Sequence, residues 1–186
     1  MFDVNSCTLQ TDRLLLRELA FSDFDAVHAY AADPVVTRYT SFGPNTPEET
    51  HAFLSRCIAA GATTPRRSHT FAAVERASGR LIGSCGLQPS DDTGRHFAFG
   101  YCFNQHWWRR GFGKEAATAI VQFGFEHLQA HRLWAQVFTG NAASVRILEG
   151  LAFRQEGLAL QSLFLRTSWH DILTFAQLRT EWVALQ

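Results

Sequence analysis

The four cysteines, Cys7, Cys57, Cys85 and Cys102, stand far apart with no C-x-x-C pair. That removes a zinc knuckle and a redox dithiol from consideration and leaves free buried thiols of a reducing cytosol as the reading. The eight histidines are scattered too, and none falls in an H-E-x-x-H pair, so no structural or catalytic metal is expected. An excess of one charge is also missing. Seventeen Lys and Arg balance 17 Asp and Glu for a formal net charge of zero, so no global field draws the chain to nucleic acid or an anionic membrane. No run approaches the roughly 20 apolar residues of a membrane span. Residues 1–10 hold no basic region followed by an apolar run, so no signal peptide is expected and the location read from this is cytoplasmic. Without repeats, low-complexity tracts or linkers, a single domain over residues 1–186 is the expectation.

Apolar and aromatic residues are plentiful. Hydrophobic residues make up 46% and aromatics 13%, with 16 Phe, enough for a core that needs no disulfide or metal. Residues 13–19 read as a strand, and Ser22 as the N-cap of a helix through Ala32 that Asp33-Pro34 stops. Thr46-Pro47-Glu48-Glu49 opens a second helix toward Ala60, with a capping residue and then proline at the first helical position. Residues 70–76 and 81–87 are β-prone runs joined by the hairpin signal Ala77-Ser78-Gly79-Arg80. Phe97, Phe99, Tyr101 and Phe103 then alternate with His96, Ala98, Gly100 and Cys102, which predicts a strand with one aromatic face. Residues 133–138 are the next strand, 141–151 a short helix, and 161–166 with 169–178 the last strand pair. The expected class is α/β (α+β): a mixed, mostly antiparallel sheet flanked by helices.

The run His106-Trp107-Trp108-Arg109-Arg110-Gly111-Phe112-Gly113-Lys114-Glu115-Ala116 carries the most chemistry. It leads into a helix whose Ala117, Ile120, Val121, Gly124 and Leu128 recur at helical spacing. Basic residues and glycines at a helix start suit an anion, because unpaired N–H groups and the positive end of the macrodipole point the same way. A P-loop is ruled out: Trp108 stands five residues before Gly113, and Glu115 follows Lys114. The Rossmann string G-x-G-x-x-A is satisfied by residues 111–116. However, a Trp-bearing loop over residues 104–110 replaces the required strand, and residues 130–140 hold no carboxylate.

The segment Gly100-Tyr101-Cys102-Phe103, the Trp-rich loop, Gly111-Phe112-Gly113 and Glu115-Ala116 resembles the acetyl-CoA signature of the GNAT N-acetyltransferases. Thr11-Asp12-Arg13-Leu14-Leu15-Leu16-Arg17, Asp33-Pro34, the stretch Asn141-Ala142-Ala143-Ser144-Val145-Arg146-Ile147-Leu148-Glu149 followed by Phe153, and His170-Asp171 resemble the ribosomal-protein N-terminal (Rim-type) branch. The resemblance implies that acetyl-CoA is the co-substrate. Its diphosphate and 3′-phosphate would be served by Arg109, Arg110, Gly111, Phe112, Gly113 and Lys114, with Phe103 and Asn141 also on the cofactor side. It implies Ser144 as proton donor to the departing sulfur, with Tyr101 as the rival; Asn141 also reads as a plain N-cap and Tyr101 as core packing. The acceptor would be a primary amine, of a protein N-terminus or a small molecule, attacking directly in a ternary complex. No nucleic acid or membrane partner is implied, and the oligomeric state, a homodimer among the options, is left open.

Two positions depart from that family pattern. Many relatives carry Glu where Ala98 stands, so the usual general base is missing, and His96, Asp91, Asp92 and Glu156 acting through water are the substitutes. Ala152 replaces the usual Gly before Phe153, which reads as a tolerated packing change. A non-catalytic acyl-CoA-binding domain is the alternative of another class, and a dinucleotide oxidoreductase ranks third.

Overall fold

A computed structural model describes residues 2–3 and 8–185; Cys7 lies outside the described residues. The chain divides into two compact units, Met1–Gln88 with Gly100–Ile120 and Pro89–Phe99 with Val121–Gln186. The architecture is α/β: the sheet is mixed, with antiparallel pairs and a parallel one in which residues 96–98 run beside residues 132–134.

In the first unit the strand order is β1 (Phe2–Asp3), β2 (Thr8–Gln10), β3 (Leu14–Glu18), β4 (His69–Glu75), β5 (Arg80–Pro89) and, from residue 100 on, β6 (His96–Phe103). Leu14 and Leu16 of β3 turn inward while Leu15 and Arg17 are half-buried, the period-2 pattern of a strand with one covered face. Helices α1 (Phe24–Ala31) and α2 (Pro47–Gly61) supply Val27, Tyr30, Ala31 and Leu54 to a core that also holds Leu19, Ala72 and Val74. The expected cap of α2 is there. Thr46 Oγ1 accepts from Glu49 N at 3.3 Å, and Glu49 Oε2 accepts from Thr46 N at 2.8 Å. The start of α1 differs from expectation, because Ser22 caps nothing. A 3-10 turn over Phe21–Asp23 precedes the helix, and Asp23 stands at the N-cap position of α1 without a side-chain bond into it; its carboxylate accepts instead from Ala20 N at 2.9 Å and from both Arg17 Nη atoms at 2.7 Å. That carboxylate serves a guanidinium and an N–H ahead of the helix, so the 3-10 turn rather than a side-chain cap leads into α1.

In the second unit the order is residues 96–99 of β6, β7 (Arg132–Phe138), β9 (Ser168–Leu178) and β8 (Arg154–Leu165). The last hairpin is longer than its sequence pattern indicates: β8 starts at Arg154 rather than 161. Its early residues are exposed on both faces and carry a register shift, so no period-2 signal marks them. Helix α4 (Ala142–Gly150) follows β7, and α5 (Arg179–Val183) ends the chain with Trp182 stacked 5.4 Å from Phe125. Helix α3 (Phe112–Glu126) stops before Leu128, and Ala117, Ile120, Val121 and Gly124 are buried along it as the spacing predicts.

Candidate functional site: the turn between β6 and α3

Gly83 begins the construction. An added Cβ would lie 2.4 Å from Cys102 O and 2.9 Å from Phe103 Cα, so only glycine lets β5 approach the end of β6 this closely. Phe103 is buried there, and its carbonyl accepts from Trp108 Nε1 at 2.7 Å. Asn104 N donates to Ile82 O at 2.9 Å, and a 3-10 turn over Gln105–Trp107 follows. Gln105 Nε2 donates to Asp33 Oδ2 at 2.6 Å, tying the loop to the end of α1. The loop over residues 104–110 therefore stands where a Rossmann fold needs a strand, and the dinucleotide reading loses its structural context.

Arg109 (φ 61°) and Gly111 (φ 84°) both adopt left-handed backbone, which turns the chain sharply into α3. The first helical hydrogen bond is Glu115 N to Gly111 O at 3.0 Å, so the preceding N–H groups fall outside the intrahelical ladder and define an anion-facing end. Arg109 and Lys114 are exposed. The Arg110 guanidinium lies 5.0 Å over the Trp107 ring, which itself meets Phe112 edge-on at 5.7 Å. Phe112 is buried, a packing anchor for the turn. Left-handed backbone, helix-end donors and two exposed cations fit a diphosphate. Tyr101 lies tilted 6.5 Å from Phe103 with its hydroxyl buried.

Asn141 and Ser144 belong to the second unit. Asn141 Oδ1 accepts from Ser144 N at 3.2 Å, so Asn141 caps α4 and Ser144, half-buried, sits in the first turn. The base candidates separate. Hydrogen bonds from Arg132, then from Arg154, hold the Glu156 carboxyl down at about 2, which makes it a weak base. The Asp91 carboxyl is lowered as well, first by Thr93 Oγ1 at 2.7 Å. His96 keeps its Nδ1 3.4 Å from Asp91 Oδ2 and its ring 5.7 Å from that of His131. Cys57, Cys85 and Cys102 are free, and burial pushes each thiol up, so none is a ready nucleophile.

Thr11 and Arg13, marked in the sequence only as part of the landmark over residues 11–17, meet the turn into α3. Thr11 Oγ1 donates to Glu115 Oε1 at 2.6 Å, and Arg13 grips the same carboxylate and the carbonyl of Arg110. Partners about a hundred positions apart leave no spacing signal.

A family model described as an acetyltransferase (GNAT) domain matches residues 13–154. The uncharacterized N-acetyltransferase YnaD of Bacillus subtilis (strain 168) is 30% identical over 94% of this chain and 98% of its own. The crystal structure of a GNAT-family acetyltransferase from Bacillus anthracis is similar at a TM-score of 0.83 with 26% identity, covering 94% of this chain and 99% of that one. A spermidine N-acetyltransferase from Vibrio cholerae, solved in complex with CoA and spermine, is similar in fold at a TM-score of 0.81 with 19% identity, over 93% of this chain and 99% of that one. With the G-x-G turn of residues 111–113 placed at a helix start behind a tryptophan-bearing loop, these findings agree with the site chemistry: the chain belongs to the GNAT family and is an N-acetyltransferase that depends on acetyl-CoA.

Proposed function

We propose that this chain moves the acetyl group of acetyl-CoA to a primary amine by direct attack in a ternary complex, acting in the cytoplasm as one domain over residues 1–186. The carrying observation is the left-handed turn at Arg109 and Gly111 opening into α3. It supports assigning the diphosphate to the N–H groups of residues 111–114 with cationic help from Arg109, Arg110 and Lys114. The single-domain reading is supported by one family description running through residues 13–154, which draws on both units.

The incoming amine must lose a proton to attack the thioester carbon, and the departing thiolate must gain one when the C–S bond breaks. Ser144 is the donor to sulfur and Tyr101 its rival. His96, braced by Asp91, takes the amine proton through water in place of the family's missing carboxylate at position 98. Holding both reactants together supplies much of the rate, so no enzyme nucleophile is needed. The Rim-type landmarks at residues 11–17, 33–34, 141–149 and 170–171 support the α-amine of a protein N-terminus as acceptor. Likeness in fold to the spermidine enzyme supports a small polyamine.

Acetyl-CoA at 100 times its dissociation constant should stabilise the fold by about 2.7 kcal/mol in a thermal melt. Thiol release should follow on adding amines from a panel of N-terminal peptides and polyamines. Stabilisation without release from any amine would favour the non-catalytic acyl-CoA-binding alternative, and stabilisation by NAD instead of acetyl-CoA would overturn the site assignment.

A further inference from the structure

Arg13, just before β3, converges on the turn from outside it. Its Nε donates to Glu115 Oε2 at 2.7 Å, its Nη2 stands 2.6 Å from the same oxygen, and its Nη1 donates to Arg110 O at 2.9 Å. The guanidinium carbon lies 4.5 Å over the Phe112 ring, and a Cβ on Gly111 would come within 3.2 Å of Nη2. One side chain thus engages residues on both sides of the G-x-G turn.

The backbone around Arg13 is itself fixed. Arg13 N donates to Glu115 Oε1 at 2.8 Å, and Thr11 Oγ1 donates to the same oxygen. Arg76 Nη1 donates to the carbonyls of Thr11 and Asp12, each at 2.9 Å.

We propose that Arg13 is a positioning residue for the diphosphate-binding turn: it aims the Gly111 N–H and neutralises Glu115 so that the helix end accepts an anion. Two physical effects carry this. First, the Arg110–Gly111 peptide is planar and trans, so its C=O and N–H point in opposite directions. Holding the carbonyl on Arg13 therefore directs the Gly111 N–H away from Arg13. Second, Glu115 sits in the first turn of α3, where a carboxylate interacts well with the helix dipole but repels a second anion at the same end. Both of its oxygens accept from donors, Thr11 Oγ1 and Arg13 N on one and the Arg13 guanidinium on the other, as a carboxylate does; burial pushes its carboxyl up, and these bonds outweigh that effect. Arg13 cancels that charge with a two-pronged contact while leaving the N–H groups to the ligand. The Arg13 side chain is 47% exposed, and exposed ion pairs add little stability. What it contributes is geometry. Gly111 accordingly serves two needs, its left-handed φ and the close approach of this guanidinium.

The inference rests on the acetyl-CoA reading, and the test separates the two. Arg13→Gln and Arg13→Lys are compared with wild type for CoA binding by calorimetry, and for kcat and KM with acetyl-CoA and with acetyl-pantetheine, which lacks the diphosphate and nucleotide. Both variants should weaken CoA binding and raise KM for acetyl-CoA by about tenfold or more, with kcat and the acetyl-pantetheine reaction within about twofold. Lys should fail like Gln, because a single ammonium cannot reach the carboxylate and the carbonyl in fork geometry. Rescue by Lys, equal losses with both thioesters, or no loss at all would overturn the proposal. Wild-type protein that binds CoA without turning over would overturn the catalytic reading while leaving the calorimetric test of Arg13 intact.

Discussion

Ala152→Gly should stabilise the protein by about 1 kcal/mol, although it removes a methyl group. Helix α4 ends in a paired closure. Ala152 N donates to Glu149 O and Phe153 N to Leu148 O, each at 2.9 Å, and Phe153 and Leu148 are both buried. These are the bonds of a Schellman motif, which needs left-handed backbone at the residue after the C-cap. Ala152 supplies it at φ 60°. Left-handed backbone costs an L-residue about 1–2 kcal/mol. Glycine escapes that cost but loses about 0.4–1 kcal/mol through the greater freedom of the unfolded chain. The difference is a net gain of about 1 kcal/mol, or about 2–4 °C in Tm for a chain of this length. The position is exposed, so the lost methyl removes little packing. Reading Ala152 as a tolerated packing change predicts almost no effect, and the left-handed backbone angle replaces that reading. Calorimetric Tm together with the urea midpoint at unchanged m-value measures the effect. Ala152→Val should lose more than Gly gains, because β-branching is disfavoured in this region. A Tm that falls with Gly, or that Val leaves untouched, would refute a strained left-handed closure.

Asp23→Asn should cost about 1–2 kcal/mol at neutral pH, a figure kept low because Arg17 remains partly in solvent. Burial pushes the Asp23 carboxyl up, but hydrogen bonds from Arg17 and Ala20 outweigh it and leave it below its ordinary value. The stabilisation is therefore present above about pH 4 and lost as pH falls through the folded value. Urea unfolding of both proteins should show the gap closing in acid, and a gap independent of pH would refute the ion-pair account. Ser144→Ala should lower turnover by about 10²–10⁴ with acetyl-CoA affinity within a few-fold, as expected of a group acting in the transition state. If Tyr101→Phe collapses turnover instead, with Ser144→Ala near wild type and both proteins folded, the proton donor is assigned to the wrong residue.

Features that were legible in the sequence depend on nearby residues. The aromatic alternation of β6, the Thr46–Glu49 cap, the Asn141 cap and the helical spacing of α3 are each satisfied within a few positions, so propensity and pattern reveal them. The turn proposed to hold the diphosphate was legible for the same reason, since its arginines, glycines and helix start are contiguous. Three features were not. The early part of β8 is exposed on both faces and carries no alternation. The strain at Ala152 is a backbone angle, which a residue name does not disclose. The grip of Thr11 and Arg13 on Glu115 joins positions 102–104 residues apart. Local chemistry thus determined most of the segments that turn, coil or extend, and it brought the arginines, glycines and helix start of residues 109–116 together. Only tertiary structure decided how that turn is held, because a charged pair formed between residues distant in sequence arises from chain closure rather than from sequence spacing.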